Sequence, residues 1–296
     1  MRFDHPISYF SNPTPRDSLF SILIPSWNNL EMLKLCIASI QKNSSFTHQI
    51  IIHVNDGADG TLEWLKTQEF SYSISTENVG VCYAMNAMAT LATTDYLLYI
   101  NDDMYVCPLW DKILYEQIPK AGHKLFYYSA TMIEPTFSRN QCAVAPHDFG
   151  HSPGDFEEAE LLEFATQVIK NDWYGASWPP SVVHRETWDK VGGFSVEFSP
   201  GFGSDPDFSM KLWNLGVRDF RGFGKSLVYH FQSKSTGRVV KNDGRRDFAK
   251  KWGVTIRFFY RKVLCFGVVV DGRELKFTKG FSYYLARFKA WKIARG

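Results

Sequence analysis

Three features of the sequence predict an α/β fold with a Rossmann-like, mostly parallel central sheet flanked by helices. Short apolar runs rich in β-branched and aromatic residues alternate with helical periods of about ten residues, the pattern of βαβ units. Several of these runs end in clusters of polar residues, and an open parallel sheet binds its ligands beyond the carboxyl ends of its strands. The chain has 296 residues and is 45% apolar, the composition of an ordinary globule with room for one large domain or two small ones.

The elements follow in order. A Pro/Ser/Asn-rich lead at residues 11–18 precedes an apolar strand at 19–24, which Pro25 is expected to stop because it lacks a backbone donor. Asn28 or Asn29 then caps a helix whose apolar positions are Leu30, Leu33, Leu35, Ile37 and Ile40. A second buried strand covers 50–54, a short helix 61–68, a strand 72–75, a helix 80–91 and a fourth strand 96–100. Residues 130–155 read as loop, punctuated by Pro135, Pro146, Pro153 and Gly154. Helical spacing returns at 156–170 and at 205–215, where Gly216 ends the helix, and 227–230 reads as a strand.

The most informative stretch is Asp95-Tyr-Leu-Leu-Tyr-Ile-Asn-Asp-Asp-Met104. An apolar strand that runs directly into Asn101, Asp102 and Asp103 delivers hard oxygen ligands to one point. A divalent cation held by one or two carboxylates keeps coordination positions that phosphate oxygens fill. The same residue types also make Asx turns, so the decision falls to other segments.

The formal net charge of +2 conceals an asymmetry. Residues 245–296 hold 14 Lys/Arg against 3 acidic residues, about +11, which leaves 19 basic and 28 acidic residues, about −9, in the rest of the chain. Such a basic, aromatic tail either packs as helices against the acidic body or meets an anionic surface. Five scattered cysteines without a C-x-x-C pair suggest neither a zinc site nor a disulfide framework and fit a reducing cytoplasm. The first residues lack the apolar core of a signal peptide, and no stretch approaches the roughly 18 apolar residues of a membrane span. Any membrane contact is therefore expected to be peripheral.

Several separated segments resemble the family 2 glycosyltransferases, GT-A-fold enzymes that use nucleotide-sugars. Ser21-Ile-Leu-Ile-Pro-Ser-Trp-Asn28 is similar to the family's opening strand, and Val54-Asn-Asp-Gly-Ala-Asp-Gly-Thr61 to its V-D-D-G-S-x-D-G-T. Asn78-Val-Gly80 with Ala84 and Asn86 resembles N-x-G-x-x-x-A-R-N, and Ile100-Asn-Asp-Asp103 stands where the family places D-x-D. Further on, Val191-Gly-Gly-Phe194, Asp205-Pro-Asp-Phe-Ser-Met-Lys-Leu212 and Val228-Tyr-His230 resemble its G-G-F, E-D-x-D-L and V-x-H segments. The resemblance covers about residues 20–232.

It implies a lead (1–18), a GT-A catalytic domain (19–240) with a nucleotide-binding half (19–104) and an acceptor half (105–240), and a basic, aromatic extension (241–296). Pro25, Ser26, Trp27, Asn28, Asp56, Asn78, Gly80, Asn86, Asn101, Asp102 and Asp103 would line the donor site. Asp56 would accept the imide N–H of a uracil ring. Asp103 and His230 would hold a divalent cation, Mn²⁺ or Mg²⁺. Asp205 would be the general base, with Asp207 as the alternative, and Trp178 and Phe202 could stack on sugars or belong to the core. The implied activity is transfer from a nucleotide-sugar, a UDP-sugar in particular, to a hydroxyl of a glycan or lipid-linked glycan, with inversion.

The chain departs from the family at three positions: Asn101 replaces the first Asp of D-x-D, Ser204 the Glu of E-D, and Met85 the Arg of A-R-N. None removes the expected ligand or base. A nucleotidyltransferase would want a Gly-rich, Lys/Arg-bearing loop after the first strand, and Pro25-Ser-Trp-Asn28 is not one. A non-enzymatic reading has the tail grip a glycan or single-stranded nucleic acid, although basic residues among aromatics suit an anionic membrane equally well, and nucleic acid is not the expected partner.

Overall fold

The computed structural model describes residues 6–138, 140–232 and 242–295. Its strands are β1 (Ile7–Phe10), β2 (Phe20–Trp27), β3 (Gln49–Asn55), β4 (Ser71–Ser75), β5 (Tyr96–Tyr99), β6 (Met104–Val106), β7 (Phe126–Ile133), β8 (Trp173–Tyr174), β9 (Ser181–His184) and β10 (Asp219–His230). They form one sheet in the order β1-β4-β3-β2-β5-β9-β7-β10-β6, with β8 attached to β10. The segment β4-β3-β2-β5 is parallel throughout, and the remainder is mixed, with β7 and β10 parallel and β9 antiparallel to both β5 and β7. The helices are α1 (Leu30–Asn43), α2 (Thr61–Leu65), α3 (Gly80–Leu91), α4 (Trp110–Tyr115), α5 (Ile118–Ala121), α6 (Glu158–Gln167), α7 (Arg185–Val191), α8 (Ser204–Leu215), α9 (Gly244–Trp252), α10 (Ile256–Phe258) and α11 (Phe281–Arg295).

Strand periodicity sorts the core onto the two faces of the sheet. On β2, Ile22 and Ile24 join a cluster with Leu33, Ile37 and Ile40 of α1, while Leu23 between them packs on the opposite face with Met85 and Met88 of α3. Both faces are therefore apolar, as a parallel sheet covered by helices requires.

Pro25 does not stop the first strand, which continues to Trp27 with Pro25 opposite His53 of β3. The neighbour β5 pairs β2 only from Phe20 to Leu23, and Leu23 O accepts Ile100 N on that side. Pro25, two residues on, faces the same side after β5 has left it, so no ladder donor is lost. Residues 126–133, whose end reads as loop in the sequence, form a strand buried at all eight positions. Its polar tips are satisfied inside: Tyr127 Oη pairs with Ser181 Oγ at 2.9 Å, Ser129 donates to Trp178 O at 3.0 Å, and Thr131 donates to Phe223 O at 2.8 Å. The lead contributes β1, an antiparallel edge strand that covers β4, with Phe10 stacked on Tyr72 at 4.6 Å.

The C-terminal region packs on this body. Phe248, Phe258, Phe259, Val263, Leu264 and Leu275 are buried in the same cluster as Phe198 and Phe208. Among the described residues no helix is long and apolar enough to cross a membrane.

Candidate active site

The carboxyl ends of the parallel strands converge, and each ends in a side chain tied to its neighbour. Strand β2 is followed by Asn28 (φ 46°) and β3 by Asp56 (φ 67°), both in the left-handed region that Asn and Asp tolerate best. Asn28 Nδ2 donates to Asp56 Oδ2 at 2.9 Å, which joins the two strand ends. Asn28 Oδ1 is buried without a hydrogen-bond partner among the described residues, while Asp56 is exposed at the mouth. Asn55, adjacent and buried, uses Oδ1 to accept Val79 N at 2.9 Å and so fastens the loop that opens α3. Asn78 Oδ1 accepts Gly80 N at 2.9 Å in the same loop. Trp27 is half-buried at the end of β2.

The residues after β5 divide in direction. Asp102 is buried and turns toward β2, accepting Ser26 Oγ at 2.7 Å. Asp103, also buried, turns toward β10: its Oδ2 lies 3.5 Å from His230 Nε2, and its backbone oxygen accepts Phe231 N at 3.1 Å. Asn101, half-buried, accepts the Cys36 thiol through its backbone oxygen at 3.6 Å. On the far side of the imidazole, Glu134 Oε1 lies 3.3 Å from His230 Nδ1. Burial pulls the His230 imidazolium down, but the Asp103 and Glu134 carboxylates flanking it more than reverse this and hold it up to about 10. Glu134 carries no signal in the family motifs. It follows the apolar run of β7, just as Asp103 follows that of β5.

The side where the acceptor is expected is built around the loop Pro200-Gly-Phe-Gly203. Val81 N donates to Pro200 O at 2.9 Å, and a Cβ on Gly80 (φ +80°) would meet Pro200 Cα at 2.5 Å. On the loop's other side a Cβ on Gly244 would meet Phe202 O at 2.0 Å. Held between α3 and α9, the loop delivers Asp205 in the first turn of α8. Asp205 is partly exposed, and burial pushes its carboxyl up to about 7. Asp207 is fully buried and accepts Trp252 Nε1 at 2.8 Å and Lys251 Nζ at 2.9 Å. The phenol of Tyr99 feels both groups of carboxylates: burial raises it well above its usual range, and Asp205 and, more weakly, Asp103 raise it further.

Not every expected residue reaches this cleft. Asn86 is buried on α3, where its amide makes a two-way clamp with Phe194, donating to its carbonyl and accepting its N–H, both at 2.8 Å. Its carboxamide thereby ties α3 to the Gly192-Gly193-Phe194 turn. Trp178 packs edge-on against Tyr260 and Phe266 at 6.0 and 4.9 Å, an aromatic of the body, whereas Phe202 is 43% exposed on the acceptor loop.

Residues 21–165 match the family model described as glycosyl transferase family 2. Those residues form a family 2 glycosyltransferase domain. The fold is similar to that of S. aureus TarS, residues 1–349: TM-score 0.55 at 13% identity over 79% of this chain and 65% of that one. The UDP-GlcNAc complex of the same protein gives TM-score 0.56 at 14% identity, over 78% and 64% of the two chains. In sequence, the uncharacterized protein y4gI of Sinorhizobium fredii (strain NBRC 101917 / NGR234) is 24% identical over 262 residues, 81% of this chain. The chain spans only 27% of that curated relative and under two-thirds of these solved chains.

Two of the three departures from the family pattern find their surroundings in the fold. Met85 is fully buried against the sheet, where the family's Arg would face apolar side chains. Ser204 is buried and donates to Gly201 O at 2.7 Å, closing the acceptor loop onto α8.

Proposed function

We propose that this glycosyltransferase is an inverting, divalent-metal-dependent enzyme that moves a sugar from a UDP-sugar to a hydroxyl of a glycan or glycolipid. The observation that carries the reading is that the Asp103–His230 couple and Asp205, a carboxyl whose pKa burial raises to about 7, stand close enough for Asp103 and Asp205 both to act on the Tyr99 phenol. The UDP and UDP-GlcNAc complexes of the similarly folded TarS support the choice of donor.

The donor set fits a cation. Asp103 offers a hard carboxylate, and His230, once the cation displaces its Nε2 proton, would offer an imidazole that favours Mn²⁺ over Mg²⁺. Among the described residues no group of three or more His, Cys, Asp or Glu could hold a metal by itself, so this reading has diphosphate oxygens complete the coordination. A bound divalent cation supplies neutralisation of the charge that builds on the departing diphosphate. Glu134 fixes the orientation of His230, and the Ser26–Asp102 hydrogen bond stiffens the floor beneath. Asp56 accepts the uracil imide N–H while Asn28 orients it. Asp205 removes the acceptor's proton as its oxygen attacks the anomeric carbon from the face opposite the leaving group. A single base opposite a single leaving group gives inversion.

A panel of nucleotide-sugars assayed for release of nucleoside diphosphate tests this reading. UDP-sugars are expected to turn over with Mn²⁺ and to stop on chelation. Turnover unaffected by chelation, or confined to donors without uracil, would contradict it.

A further inference from the structure

Helix α11 reverses the usual arrangement of a surface helix, in which the large apolar residues face inward. Its inward side is small: Ala286 and Ala290 are buried where α11 packs on α9, and Tyr283 closes the contact against Phe258 and Phe277 at 6.1 and 5.7 Å. Its largest apolar residues point the other way. Phe281, Tyr284, Phe288 and Trp291 recur at steps of three and four residues along one stripe and are 85%, 62%, 53% and 49% exposed. Leu285 extends the stripe, and Phe288 stacks on Trp291 with ring centroids 6.0 Å apart.

Cations clothe this face. Lys292 Nζ lies 4.7 Å over the Phe288 ring and the Arg295 guanidinium 4.2 Å over Trp291, while Arg287 and Lys289 are exposed on the same helix. The helix contains no acidic residue.

We propose that α11 is a membrane-docking element that lays its Phe281–Trp291 stripe into an anionic lipid surface. Charge selects this occupant. A second copy docked face to face would set one aromatic stripe edged only by cations against another, whereas lipid phosphates answer the lysines and arginines. Aromatic rings edged by cations suit the boundary between headgroups and acyl chains. The docking is independent of the glycosyl transfer proposed above, and α9 connects the docked helix to α8 and the acceptor side.

Flotation of the full chain with phosphatidylcholine vesicles, and with vesicles that also contain phosphatidylglycerol, tests the proposal. The expected result is binding to the anionic vesicles that is about tenfold tighter than to the neutral ones and falls with added salt. Phe288→Ser with Trp291→Ser removes exposed rings only, so it should weaken anionic binding about tenfold while the melting temperature and the turnover of soluble substrates stay unchanged. Lys292→Glu with Arg295→Glu should abolish the preference for anionic lipid. Equal binding to both vesicles, no binding at low salt, or binding untouched by either variant would overturn the proposal. So would a dimer in solution that Phe288→Ser with Trp291→Ser dissociates in the absence of any lipid affinity, which would assign the face to a second copy.

Discussion

Asp205 and Asp207 stand two residues apart on one helical turn, and their surroundings separate their roles. Asp207 is committed to Lys251 and Trp252, so Asp207→Asn should lower the melting temperature and leave the pH–rate profile in place. Asp205→Asn should instead lower kcat by about 10² to 10⁴ with donor affinity nearly unchanged, in steady-state assays. Because burial raises the Asp205 carboxyl to about 7, wild-type activity should fall as pH drops below that value. The same shift has a consequence for stability. The folded-state pKa lies above the unfolded value of 3.8, so the group costs stability once pH exceeds the unfolded value, and the cost is complete above about 7. Calorimetry should therefore find Asp205→Asn more stable than wild type at about pH 8, with the gap closing toward about pH 4. No gain at the higher pH would contradict the burial argument. Residues such as Asp103 are legible in the sequence because a strand end announces them. Asn86 is not, because its partner Phe194 is far along the chain and only the fold brings the two together.

At the scale of elements, what could be read locally is what local periodicity sets. The apolar runs of β2 to β5 and the twelve residues of α3 stand out because packing agrees with propensity there. Strand β7 is hidden by Tyr127, Ser129 and Thr131, polar-tipped residues whose hydrogen bonds close only within the assembled sheet. Reading β7 as a strand would have exposed Glu134 by the rule that found Asp103. Pro25 misleads for a related reason, since its effect depends on where a neighbouring strand ends. The junction of α3 with the acceptor loop is the most exacting contact. Gly80→Ala places a Cβ at positive φ and against Pro200, so it should cost about 1–2 kcal/mol from the backbone alone and displace residues 200–203. Thermal unfolding and acceptor KM should both register the change, and an unaltered KM would detach this junction from acceptor binding.

At the scale of the molecule, the C-terminal region packs into the body and steadies the Pro200–Gly203 loop and the first turn of α8. Phe248 and Phe259 are fully buried, and Lys251 and Trp252 hold Asp207. A chain cut near residue 244 would uncover this cluster and is expected to aggregate or melt far lower than the full chain in a thermal scan. The charge asymmetry visible in the sequence did not distinguish packing from surface contact, because one region does both: α9 and α10 carry buried aromatics while α11 displays exposed ones. If Asp103 and His230 hold a cation that the donor diphosphate completes, calorimetric titration of UDP into the full chain should depend on that cation. Wild type should bind UDP at least about tenfold more tightly with Mn²⁺ than with chelator, and Asp103→Asn should lose that gain while keeping its fold. Equal UDP affinity with and without Mn²⁺ in wild type, or an undiminished gain in Asp103→Asn, would contradict the account.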